Sequence, residues 1–363
     1  MAEERDLRRV LEQLRAEIDA TDDRILALLS ERGRLTQQVG EWKRQVGSTQ
    51  FYHPDREAEI LRRVMAVNPG PFTDEQIAWI FREIISAGLA LEESLQVAYL
   101  GPEGTFSQMA AQRHFGHSAR LLPVPSIAEI FRQTDAGNTQ FGVVPVENST
   151  EGSVHQTLDL LLDYPLQICG ELELRIVHNL LSAIPLQDIQ RVHVHYQTRA
   201  QCRQWLAQNL PQAELCDAPS NAEAARRAAQ DSQGAAISTQ TAAEIVGLPV
   251  LAQGIEDNPE NSTRFWAIGK IATRPTGNDK TSIVLGGAHR AGALHSLLTP
   301  FAKAGISITR IESRPARWAR WQYLFFLDFL GHQQDPQVQS TLAELQDNAA
   351  FLRVLGSYPK GVQ

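Results

Sequence analysis

The chain has 363 residues and a formal net charge of −8, room for two or three domains and the wrong sign for nucleic acid as a partner. No segment approaches the length of a membrane span, and Met1 to Arg9 is charged rather than a signal peptide, so a soluble, cytoplasmic protein that does not engage a membrane is expected. Cys169, Cys202 and Cys216 lack paired metal spacing and read as buried free thiols, with no metal implied. The commonest NTPase, zinc-protease and serine-hydrolase motifs are missing.

Residues 1–95 carry a helical pattern. Leu7, Leu11, Leu14, Ile18, Ile25, Leu28, Leu35, Val39 and Trp42 follow steps of three and four, with Thr21 and Arg32 in the two missing slots. A helix from Leu7 to Gln45 is roughly 58 Å long at about 1.5 Å per residue, more than a lone small domain can cover, so a second copy of the chain is expected against it. Arg32 and Lys43 project from nearly the same side of that helix. A second helix opens at His53-Pro54-Asp55-Arg56-Glu57, and a third at Thr73 with Gln76 in the capping-box position. The third carries Glu92 on its apolar stripe, with Gly88 leaving room beside it. Any one of these charges could snorkel to water from a seam. Arg32, Lys43 and Glu92 all turned inward suit a compact polyanion.

From Val97 short strands alternate with helices, the pattern of an α/β domain. The strand Val97 to Leu100 runs into Gly101-Pro102-Glu103-Gly104-Thr105-Phe106-Ser107, where amides and two hydroxyls at a helix start make an anion site. A buried strand then ends in Glu147-Asn148-Ser149-Thr150, where such strands open into a crevice; the same residues could simply end the strand and cap a helix. Strands near Leu166 to Cys169 and Leu172 to Ile176 follow. A second αβ series has the size of another lobe: strand Val192 to His195, helix near Arg199 to Gln208, strand near Glu214, a helix after Ser220-Asn221, strand Ala235 to Ile237 and a helix after Ser238. The strand Thr263 to Ile268 is expected to return to the first lobe and set Thr263 beside the crevice. Beyond a linker at Thr273 to Asp279 the order is βαββαβ, the ferredoxin-like plan, with Gly292 and Glu312-Ser313-Arg314-Pro315 as candidate ligand positions or, equally, a turn glycine and a charged loop.

The motifs Gly101 to Ser107 (GPEGTFS), Val144 to Gly152 (VPVENSTEG), Thr263-Arg264-Phe265 and Glu312 to Pro315 (ESRP) together resemble the bifunctional chorismate mutase–prephenate dehydratase family along nearly the whole chain. The resemblance implies three domains: an all-α chorismate mutase bundle at 1–95, a two-lobed α/β dehydratase like periplasmic solute-binding proteins at 96–272, and an α+β ferredoxin-like ACT domain at 280–363. It implies chorismate and prephenate as substrates, L-phenylalanine as feedback effector, a homodimer or higher homo-oligomer, and no cofactor.

For the mutase it carries over Arg15, reaching into a partner's site, with Arg32, Lys43, Arg56, Glu57 and Glu92. For the dehydratase it carries over Thr263 as the residue closest to catalysis, with Glu147 a second candidate proton donor. Thr105, Ser107, Asn148, Gln201 and Arg264 would hold the substrate. For the effector it carries over Gly292, Ala293, Leu294, Glu312, Ser313, Arg314 and Pro315. Departures from the family pattern are His53 and Gly88 where Asp and Ser often stand, Glu92 where many members have Gln, and Val194 for the usual Ser.

The chorismate rearrangement is pericyclic, needing a bound chair-like conformer and donors to the ether oxygen; Glu92 can donate only when protonated. A rival from element order alone is a non-catalytic ligand sensor with a helical dimerisation arm. It leaves Arg32, Lys43 and Glu92 inside that arm without a reason.

Overall fold

The computed structural model describes residues 2–47, 50–286, 291–316 and 323–361. Helix α1 (Ala2–Gln45) runs unbroken, and every residue from Arg5 to Glu31 is exposed. Among the described residues its C-terminal third holds the buried and half-buried positions and packs on α3 (Asp74–Glu92), which follows α2 (Pro54–Ala66). Thr73 caps α3 with a reciprocal box: its hydroxyl accepts from the Gln76 amide, and the Gln76 side chain accepts from the Thr73 amide.

The first α/β lobe comprises β1 (Gln96–Leu100), α4 (Phe106–Phe115), β2 (Arg120–Val124), α5 (Ile127–Asp135), β3 (Phe141–Asn148), β4 (Gly152–Ser153), α6 (His155–Asp163) and β5 (Gln167–Arg175). The chain then builds a second lobe from β6 (Asn179–Leu181), β7 (Arg191–Val194), α7 (Tyr196–Gln201), α8 (Arg203–Asn209), β8 (Glu214–Asp217), α9 (Asn221–Ala229), β9 (Gly234–Ser238), α10 (Gln240–Val246) and β10 (Val250–Ala252). It returns as β11 (Ser262–Gly269), inserted between β3 and β5 so that the first sheet reads β2-β1-β3-β11-β5. The return strand is therefore where element order placed it. The second sheet reads β10-β6-β9-β7-β8.

Two element boundaries differ from expectation. The segments near Leu166 to Cys169 and Leu172 to Ile176 form the single strand β5, because β11 pairs along its whole length and absorbs the irregularity in one register shift. The helix expected near Arg199 to Gln208 is two helices broken at Cys202, whose φ of −117° and ψ of 21° leave the helical region. Cys169 and Cys202 are buried and Cys216 only partly so, all three as free thiols; burial raises the Cys169 thiol to about 12.

The C-terminal domain is β12 (Asp279–Gly286), α11 (Ala293–Lys303), β13 (Ile308–Pro315), β14 (Tyr323–Leu330), α12 (Pro336–Asn348) and β15 (Phe351–Pro359), with sheet order β13-β14-β12-β15. This is the ferredoxin-like arrangement. It shares a core with the first lobe: Val144, Ile168 and Trp266 pack in one buried cluster with Phe326, Leu355 and Tyr358. At Gly356, with φ of +154°, a Cβ would fall 2.2 Å from the Ile168 carbonyl oxygen, so glycine is what lets β15 approach β5 backbone to backbone. Among the described residues no helix is long and apolar enough to cross a membrane.

Candidate active sites and the effector face

In the helical domain Lys43 is the centre. Its Nζ donates to Glu92 Oε2 at 2.9 Å and to the Phe51 carbonyl at 3.0 Å, with side chains only 16% and 10% exposed for Lys43 and Glu92. Gly40 is buried against Glu92, and Arg44 donates to the Glu92 carbonyl at 2.9 Å. Arg32 donates from Nη1 to the Ile84 carbonyl at 3.2 Å; burial lowers its pKa while the Glu92 charge works the other way. A Cβ at Gly88 would lie 2.9 Å from that Nη1, so the missing side chain is what admits the guanidinium. His53 stands close by: burial, then the Lys43 charge, lowers its pKa.

Arg56 and Glu57 do not join this group within one chain. Arg56 is exposed and pairs with Glu59 one turn on, at 2.9 Å. Glu57, about 100° further round the helix, turns into a cleft of about 580 Å³ where all three domains meet. There it hydrogen-bonds Tyr52 and lies 3.4 Å from Arg82 Nε; burial raises its pKa against the pull of that arginine. His114 lines the same cleft, and burial drives its pKa down to about 3. Arg15 is exposed on the uncovered part of α1, roughly 42 Å from Lys43 at about 1.5 Å per residue.

The crevice of the two-lobed domain forms where β3 and β11 end side by side. Thr263 is the register partner of Asn148, whose Nδ2 donates to Thr263 Oγ1 at 2.9 Å and to Asn261 Oδ1 at 3.0 Å. Asn148 Oδ1 accepts from the amides of Thr150 and Glu151, so one side chain fixes both the turn and the threonine. From the opposite lobe, Gln201 accepts through Oε1 from His178 Nε2 at 2.7 Å and donates from Nε2 to Glu151 at 3.4 Å, while Gln197 also hydrogen-bonds Glu151. Burial lowers the His178 pKa and so favours the neutral ring. With a neutral ring, Nε2 donates to the Gln201 carbonyl oxygen, and the glutamine NH2 is turned to Glu151 across the lobes.

Thr105 caps α4, accepting from the Gln108 amide and donating to the Leu100 and Pro102 carbonyls; Ser107 is buried in the first turn. The lobes touch where Thr239 donates to the Gly104 carbonyl at 2.7 Å.

Strand alternation removes two expected residues from this crevice. Glu147 and Arg264, register partners of each other, point through the opposite face of the sheet toward the C-terminal domain. Glu147 accepts from Arg310 Nε at 3.1 Å, and Arg264 pairs with Glu171 at 2.7 Å and Asp328 at 2.6 Å. Neither the donor role for Glu147 nor substrate contact by Arg264 fits that placement. The same period of two divides the effector segment. Glu312 accepts from Ser153 Oγ at 2.7 Å, and Arg314 pairs with Asp159 at 2.8 Å, both toward the first lobe. Ser313 and Pro315 stay exposed, as do Gly292 and Leu294 around the start of α11, where Ala293 is half-buried. Glu312 and Arg314 are therefore interface residues rather than an open ligand face.

Glu151, His178, Asn261 and Arg310 were not singled out from sequence. Glu151 lies within the VPVENSTEG motif and Arg310 two residues before Glu312, so both were within reach; His178 and Asn261 carry no local pattern.

A helical bundle with its own polar centre, a two-lobed domain with another, and a ferredoxin-like tail define a three-domain enzyme with two active centres. Family models match in that order: chorismate mutase type II over residues 14–93, prephenate dehydratase over 97–273 and the ACT domain over 281–347. A bifunctional chorismate mutase/prephenate dehydratase of Stutzerimonas stutzeri is 50% identical over 358 residues, spanning 97% of this chain and 98% of the relative. A prephenate dehydratase of Mycobacterium marinum is 39% identical over 73% of this chain and 89% of its own length. The crystal structure of prephenate dehydratase from Arthrobacter aurescens in complex with L-Phe aligns with a TM-score of 0.68 at 34% identity, over 73% of this chain and 90% of that one. The chain belongs to the bifunctional chorismate mutase/prephenate dehydratase family and has both enzymatic activities; the sensor reading falls away.

Proposed function

We propose that chorismate rearranges among Arg32, Lys43 and Glu92, with Arg15 of a second copy closing the pocket, and that prephenate then reacts in the crevice at Asn148, Thr263 and Gln201. On this reading the domains are 1–95, 96–272 and 280–363, the protein is a homodimer or higher homo-oligomer, and it works in the cytoplasm. The dimer follows from the exposed stripe of Leu7, Leu11, Leu14, Ile18 and Ile25 on α1, which a second α1 would bury. The distance of Arg15 from its own Lys43 supports a role in another chain's pocket rather than its own.

The observation that carries the dehydratase assignment is the 2.9 Å bond from Asn148 to Thr263 Oγ1. Because Asn148 donates, the hydroxyl proton of Thr263 is directed elsewhere, toward a ligand between the lobes. As prephenate loses its ring carboxylate as carbon dioxide, the electron pair of that bond enters the ring and the ring hydroxyl departs with a proton as water. Threonine is a weak acid, so its contribution is to orient and hydrogen-bond the leaving oxygen. Ser107 and the amides opening α4 suit a substrate carboxylate.

The effector reading rests on the Arthrobacter aurescens relative, solved with L-Phe. We infer that L-phenylalanine binds this chain beside Gly292, Ala293, Leu294, Ser313 and Pro315, between two ACT domains, and shifts the dehydratase to a less active state. Supplying purified protein with chorismate and following phenylpyruvate tests all parts: product that falls on adding phenylalanine is expected. Accumulated prephenate without phenylpyruvate would refute the crevice assignment.

A further inference from the structure

Strands β3 and β11 each spend consecutive residues on two faces of one sheet. Asn148 and Thr263 meet in the crevice, while their neighbours Glu147 and Arg264 meet the ACT sheet. Opposite Glu147 stands Arg310 of β13, its side chain only 6% exposed. Arg310 donates from Nε to Glu147 at 3.1 Å and from Nη2 to Ser153 Oγ at 2.8 Å; its Nη1 is buried without a partner among the described residues. Ser153 on β4 is the register partner of Glu147, and Gly152 that of Asn148. One guanidinium thus grips both strands of the β3–β4 hairpin from the ACT side. Asn148 holds the turn of that same hairpin from the crevice side.

We propose that Arg310, a residue of the ACT domain, is a positioning residue of the dehydratase: it fixes the β3–β4 hairpin and through it the Asn148–Thr263 pair. The inference rests on the crevice assignment above. Its physical basis is the steep cost of misplacing reacting groups, where a shift of about 1 Å can cost on the order of 100-fold in rate. Arg310 reaches no substrate itself. It sits on the strand that also carries Ser313 and Pro315, so whatever shifts that strand acts directly on the hairpin.

The test uses the full-length enzyme with Arg310→Gln, Arg310→Lys and Glu147→Gln, and measures prephenate turnover with the mutase rate in the same preparations as an internal standard of folding. Arg310→Gln is expected to lower dehydratase kcat about tenfold or more with KM changed less than about threefold. Arg310→Lys recovers part of the loss, Glu147→Gln reproduces it, and mutase rates stay at wild type. A wild-type kcat in Arg310→Gln overturns the proposal. Should that variant lose the mutase as well, an unchanged kcat in the isosteric Glu147→Gln does the same. Thr263→Val separates this from the premise: if it keeps full dehydratase activity, the crevice assignment fails and takes the positioning role with it.

Discussion

The two ends of this enzyme are finished in opposite ways. The first sheet and the ACT sheet close on each other within one chain, through the buried cluster around Trp266 and Tyr358 and the ion pairs Arg264–Asp328 and Arg310–Glu147. Helix α1 leaves its apolar stripe and Arg15 in the open. The crevice is complete within one chain, whereas on the proposed reading the pocket of Lys43 and Glu92 is closed by Arg15 of a second copy.

The largest expected effect tests that contrast directly. Arg15→Ala and Lys43→Ala each lower mutase kcat/KM by about 10²- to 10³-fold and leave the dehydratase within about twofold. Mixing and re-equilibrating the two variants restores about a quarter of wild-type mutase sites, because half the dimers are mixed and each mixed dimer has one intact pocket. If mixing recovers nothing, the pocket is not shared.

Smaller effects come from the closed half. Gly356→Ala puts a methyl against the Ile168 backbone at a φ that disfavours side chains, and should destabilise the dehydratase–ACT unit by about 2 kcal/mol, read as a lower denaturation midpoint. His114 gives the mildest effect at neutral pH and is read against pH. With its native pKa at about 3 and an ordinary value of 6.5, the unfolded chain binds the proton first. Its contribution to stability is therefore present above 6.5 and lost as pH falls toward 3, with a slope of up to about 1.4 kcal/mol per pH unit that His114→Gln should remove.

Much of this was legible in advance where local rules suffice. The steps of three and four specify α1, and the glycines after β1 and the polar end of β3 mark the crevice; Thr263 could be set beside that crevice from element order alone. What was missed depends on distant packing. Strand β2 holds Pro123 on an exposed sheet edge, and β6 and β10 are three residues each, too short for a period-two signal. Glu147 and Arg264 look like crevice residues by neighbourhood; only the ACT sheet decides which face is covered, through Arg310, 163 residues beyond Glu147, and Asp328, 64 residues beyond Arg264. Arg56 and Glu57 lie apart from Lys43 within one chain for the helical version of the same reason: consecutive positions on α2 face different surroundings.

The uncovered face of α1 also has a kinetic meaning. If pairing completes the mutase pocket, its rate scales with the square of protein concentration once most dimers have dissociated, whereas a crevice closed within one chain scales linearly. Dilution then strips the first reaction from the enzyme while sparing the second. The molecule becomes a dehydratase alone, fed only by prephenate made elsewhere.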